Sequence, residues 1–329
     1  MSAVQDTRIF ARRTMEGRQY LGYRMTYKSG TGIDRRQQEL HSDIAALDVA
    51  MILPLPTPPA SPENAVRFVN LSGYEEFFAD LDRGFPSPPT IREPYYPDVL
   101  RGSLGIESPL VVYDVGSYEA SFVPTLGDFE RLDDRFRLPK TIWNQLPQYR
   151  DYGFAVFKLK AGARTMQPMA FDFPLRSSFR LFFPTIHIHA GRVDPSARFD
   201  HTLYCQGLDG VKGWDVSFQL PPVSQSPVPD LNKWVSPEIR RKNAFYERER
   251  FSETLRTERR DHFDLLRLGW DEDCIRLYDW FNLQRADPRN HLNARDFVAV
   301  ERAAGIIDPA LPVQRQRFLG DHPNQDVTF

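Results

Sequence analysis

Between Phe154 and Leu220 the chain delivers short apolar and aromatic runs at close spacing: Phe154 to Leu159, Met169 to Phe173, Phe179 to His189, Phe199 to Gln206 and Trp214 to Leu220. The breaks between them hold proline, glycine and charged residues and are too short for crossover helices. That succession predicts an antiparallel sheet or sandwich rather than a βαβ array. Upstream, Tyr20 to Tyr27 alternates as a strand, and Ile44 to Leu55 is a second apolar run that ends among Pro54, Pro56, Pro58 and Pro59. Val66 to Leu71 reads as a short strand. Ser72 then caps a helix with Tyr74, Phe77, Phe78 and Leu81 on one face, stopping near Gly84. Pro109 to Tyr113 and Tyr118 to Val123 form a hairpin across Gly116-Ser117, and Thr125 to Leu132 and Pro139 to Leu146 are short helices.

The composition changes after Pro221 to Pro229. No proline occurs between Pro237 and Pro288, out of 27 in the chain. Ser236-Pro237-Glu238 has the chemistry of a helix start, with serine capping and proline in the first turn. Two more helices are expected, one through Ile275, Leu277, Tyr278, Trp280 and Phe281, the other opened by Asn293 and closed by Gly305. The expected fold class is therefore α+β: a β-rich region over residues 1–225, then a predominantly helical C-terminal subdomain over 226–329 with a polar tail.

Forty-two Lys and Arg against 44 Asp and Glu leave a formal net charge of -2, so no global field marks a nucleic-acid or membrane binder. The N-terminal residues show no continuous apolar stretch, so no secretory leader is expected, and no run approaches the length of a membrane-spanning helix. Cys205 and Cys274 fall in different layers of the expected fold. They are read as unpaired thiols of a reducing, cytoplasmic setting.

One constellation carries chemistry. His187 and His189 alternate on a strand, so they share a face opposite Ile186 and Ile188. If residues 190–198 return the chain as a hairpin, a register centred on residue 195 sets His189 opposite His201 and His187 opposite Leu203. Three imidazoles at His187, His189 and His201 would suit zinc, copper or iron as a divalent transition-metal site, leaving a position for water or substrate. Water on such an ion becomes acidic near neutral pH, the reason to expect hydrolytic or oxygen-using chemistry. Asp200 and Cys205 are the accompanying catalytic candidates, Cys205 as a nucleophile with His201 or His187 as base and Asp200 or Asp215 as orienting carboxylate.

The alternative is a non-enzymatic interaction or assembly protein, with a protein partner or a second copy held by the C-terminal helices. Nucleic-acid binding through Arg240, Arg241 and Lys242 ranks third, because glutamates interleave that helix and leave it a mixed-charge face. The sequence carries no phosphate-binding loop, dinucleotide glycine fingerprint, nucleophile elbow, His-Glu-x-x-His helix or paired Cys-x-x-Cys, so no nucleotide cofactor is expected.

Overall fold

The computed structural model describes residues 3–28, 50–86, 112–132, 140–159, 167–177, 180–188, 193–208, 213–220 and 282–329. The helices expected from Pro237 and through Ile275 to Phe281, the boundary at Pro221 to Pro229, and Cys274 lie outside them.

The strands are β1 (Ala3–Arg13), β2 (Arg18–Lys28), β3 (Ala50–Leu55), β4 (Arg67–Val69), β5 (Tyr113–Val115), β6 (Tyr118–Val123), β7 (Gly153–Leu159), β8 (Met169–Pro174), β9 (Phe182–Phe183), β10 (Ser196–Gln206), β11 (Asp215–Val216), β12 (Gln314–Pro323) and β13 (Val327–Thr328). They build a seven-stranded sheet in the order β11-β12-β10-β1-β2-β8-β4, a four-stranded sheet β3-β7-β6-β5, and a two-stranded ribbon β13-β9. Among the described pairs only β1 with β10 is parallel, with Thr7 beside His201 and Phe10 beside Tyr204. Gly17, at φ 73°, closes the β1–β2 turn, where an L side chain would be strained.

Side-chain alternation sorts the sheets into layers. Ile9, Leu21, Phe171 and Leu203 of the larger sheet face Leu53, Phe122 and Phe157 of the smaller one in a shared core. Phe10, Ala170 and Tyr204 point the other way. There they meet helix α1 (Phe77–Arg83) and the C-terminal residues Ile306, Ile307 and Val313. The far face of the smaller sheet, with Val123, Phe154 and Val156, is covered by Phe129, Ile142, Leu146 and Tyr149, Ile142 lying in helix α2 (Lys140–Trp143). In α1 the aromatic face is as expected, with Phe77, Phe78 and Leu81 fully buried, but Glu76 stands at the cap without a side-chain bond and Ser72 lies outside the helix.

Among the described C-terminal residues, 282–329, the structure corrects the expected helical region. Residues 282–286 are helical, and beyond them come single 3-10 turns at Pro288–Asn290, Ala294–Asp296 and Val300–Arg302. The expected helix from Asn293 to Gly305 breaks because Asn293 and Asp296 close a capping box around one turn, Phe297 takes an extended φ of -144°, and Ala304 and Gly305 are left-handed. The polar tail is β12, paired from Ser196↔Pro323 to Cys205↔Gln314 inside the seven-stranded sheet. Its inward positions carry Gln314 and Gln316, whose polarity hides the strand from a hydrophobic pattern.

Candidate functional site

His201 sits in the interior of β10, flanked by Thr7 of β1 and Phe318 of β12. Alternation along β10 turns Phe199, His201, Leu203 and Cys205 to one face, all buried. His187 reaches the same place by a different route. The expected hairpin with β10 does not form: β10 is already paired on both edges, and Phe182–Phe183 pairs with Val327 and Thr328 of β13. Beyond Pro184, which has no N–H to donate, residues 184–188 make no strand.

Side chains of the C-terminal segment replace the missing ladder. Asn324 Oδ1 accepts the His187 backbone N–H at 2.7 Å, and Asn324 Nδ2 donates to the His187 carbonyl at 2.7 Å and to the Asp194 carbonyl at 2.9 Å. Asp326 Oδ1 accepts the amides of Thr185 and Ile186 at 2.9 and 3.2 Å, while its Oδ2 accepts the Tyr149 hydroxyl at 2.5 Å. The Thr185 hydroxyl donates to the Gln325 carbonyl at 2.8 Å.

Held this way, His187 Nε2 lies 3.4 Å from His201 Nε2, with ring centroids 5.1 Å apart. Phe199 closes over both rings at 4.7 and 5.1 Å, and Phe318, on which His322 stacks at 4.0 Å, backs Phe199 at 4.9 Å. His322 is spoken for, since its Nε2 donates to the Leu319 carbonyl at 2.8 Å. Burial, with His187 beside it, pushes the His201 imidazole down to about 3, so it is neutral at physiological pH. Its Nδ1 is buried without a hydrogen-bond partner among the described residues.

The other candidates stand apart. Asp200 points to the opposite face of β10 and accepts the Asp6 amide at 3.3 Å. Cys205 lies four residues beyond His201 on the same strand, about 13 Å away at ~3.3 Å per residue. It is a free thiol that burial holds protonated, donating to Gln314 Oε1 at 3.7 Å. Asp215 is taken up by ion pairs with Arg285 at 3.1 Å and Arg315 at 3.6 Å. His189 lies outside the described residues, and among those described no group of three His, Cys, Asp or Glu side chains is arranged to hold a metal. The sequence reading missed Asn324, Asp326 and Tyr149. The only signal for Asn324 and Asp326 was two polar residues spaced by one in a tail with no apolar pattern, and Tyr149 had none.

No helix among the described residues is long and apolar enough to cross a membrane. No protein-family profile matches the chain, and no curated protein matches it. Among solved structures, the crystal structure of baculovirus P35 is similar at a TM-score of 0.37 and 14% identity, covering 69% of this chain and 73% of that one. A mutated baculovirus P35 after caspase cleavage gives 0.35 and 15%, covering 68% of this chain and 74% of that one. The caspase-8/P35 complex gives 0.31 and 15%, covering 68% and 71%.

Proposed function

We propose that His187 and His201 are two ligands of a divalent transition-metal site, with zinc the first candidate. The observation behind this reading is the 3.4 Å separation of the two Nε2 atoms. Two nitrogens each ~2.0 to 2.1 Å from one tetrahedral ion stand about 3.3 to 3.4 Å apart. The electrostatics agree, because a histidine kept neutral by burial offers its lone pair without first losing a proton. His189, two residues along the same segment, is the third ligand the sequence offers, and water completes the set. A bound ion would supply Lewis acidity and an acidified water, the basis for a hydrolytic or oxygen-using activity. Phe199 packs against both rings, and Phe318 backs Phe199.

The test is metal stoichiometry on protein purified without a histidine tag. About one equivalent of Co²⁺, with d–d absorption displaced by Zn²⁺ and lost in His187→Gln and His201→Gln, supports the site. Absence of binding in the parent protein sinks it and leaves the interaction-protein reading.

A further inference from the structure

The amide of Asn324 occupies an unusual position. One oxygen and one nitrogen satisfy both backbone groups of His187, and the same nitrogen reaches Asp194, so the side chain bridges the two ends of the connection that leads from His187 back into β10. Its own backbone N–H is fixed on the Pro195 carbonyl at 3.0 Å. Only a carboxamide of this length does all of this at once. An aspartate would set a second acceptor against two carbonyls, and an alanine would leave the His187 amide without its acceptor.

We infer that Asn324 is the positioning residue of the histidine pair: it sets how closely His187 approaches His201, and the C-terminal segment 324–329 and a metal ion on the pair therefore stabilise each other. Asp326 reinforces the hold one and two residues earlier, on Ile186 and Thr185. Docking of the segment brings Nε2 to Nε2 at ligand spacing; release of it frees His187, while His201 stays in its strand. Reciprocity follows from linkage, since an ion that binds only the approached pair must favour the docked segment by the same factor. The second half of this inference rests on the metal reading; the first half does not.

The experiment uses the full chain in three forms: parent, Asn324→Asp, and Gln325→Ala as a control whose side chain takes no part. Two readouts need no metal, namely the nuclear Overhauser effect between the His187 and His201 ring protons and the exchange rates of the Thr185, Ile186 and His187 amides. The third is Zn²⁺ affinity. Asn324→Asp is expected to lose the ring-to-ring signal, to exchange those amides at least about tenfold faster and to bind Zn²⁺ about 10- to 100-fold more weakly, the range seen when the groups that orient metal ligands are removed. Gln325→Ala is expected to match the parent. Should Asn324→Asp fail to fold, Asn324→Ser, whose shorter hydroxyl cannot span His187 and Asp194 and adds no charge, carries the same test. Unchanged ring signal and exchange in a folded variant overturn the inference whatever zinc does. Changed signal and exchange in a protein whose parent binds no Zn²⁺ uphold the positioning role and overturn the metal reading instead.

Discussion

The two histidines of the pair are held by different physics. His201 belongs to a strand bonded on both edges, to β1 and to β12, with its ring buried against Phe199 and His187. His187 belongs to a segment with no strand ladder, fixed by the side chains of Asn324 and Asp326. Moving the first means breaking the sheet. Moving the second needs only a few hydrogen bonds to exchange with water, each worth about 0.5 to 1.5 kcal/mol net. The site thus joins a rigid half to an adjustable half.

Four measurements would break or sharpen that contrast. Leu203 is fully buried two residues beyond His201 on the same face of β10. Leu203→Ala should lower global stability by roughly 2 to 5 kcal/mol in denaturant titration; a purely local effect would deny the rigid half. The second concerns acid. His201 is held neutral with its pKa pushed down to about 3, while the unfolded chain takes up a proton below about 6.5, so stability should fall as pH drops from about 6.5 toward 3, by on the order of 3 kcal/mol between pH 6 and 4. His201→Gln should abolish that slope.

The adjustable half should respond with the opposite sign. Burial pushes the Asp326 carboxyl up to about 6, against the pull of Tyr149 and the Thr185 and Ile186 amides. The folded protein therefore binds the extra proton between about 4 and 6. Stability from this group should fall as pH rises through that window, by roughly 2 kcal/mol, and then level off. Comparing the parent with Asp326→Asn across pH 4 to 7 isolates the slope. Matching curves would show that Asp326 is as hydrated in the fold as out of it. The smallest effect belongs to Thr185, whose hydroxyl makes one bond to the Gln325 carbonyl. Thr185→Val should cost about 1 kcal/mol or less, visible as faster exchange at residues 185–187 with little change in the global midpoint.

The same contrast explains what could be read from the sequence. β2, β4, β6, β7, β8 and β10 alternate or are apolar throughout, and each appears where its pattern places it. β1 was missed because Gln5, Asp6 and Arg8 interrupt its pattern, and the ladder register shifts between Gln5 and Arg8 around Asp6 at φ 50°. β12 was missed because glutamines take two of its inward positions, at Gln314 and Gln316, and its strand character comes from pairing with β10 rather than from local preference. The expected hairpin failed for a related reason. Local spacing allowed residues 185–189 to return on 201–205, but β1 and β12, far off in the chain, already hold both edges of β10. His187 and His201 meet nonetheless, through Asn324, a long-range hydrogen bond that spacing alone does not encode.

The parallel pairing of β1 with β10 has a consequence for synthesis. β1 can zip onto β2 as soon as the first turn is made, but its other edge waits for β10, Thr7 pairing with His201, and β10 in turn waits for Gln314 to Pro323. Through most of translation the nascent sheet therefore carries an open edge along β1 and then along β10. Such an edge is a template for pairing with other chains, and closing it late makes folding slow. During that interval the growing chain is exposed to aggregation and to chaperone capture, and the risk ends only when Gln314 to Pro323 have emerged and paired with β10.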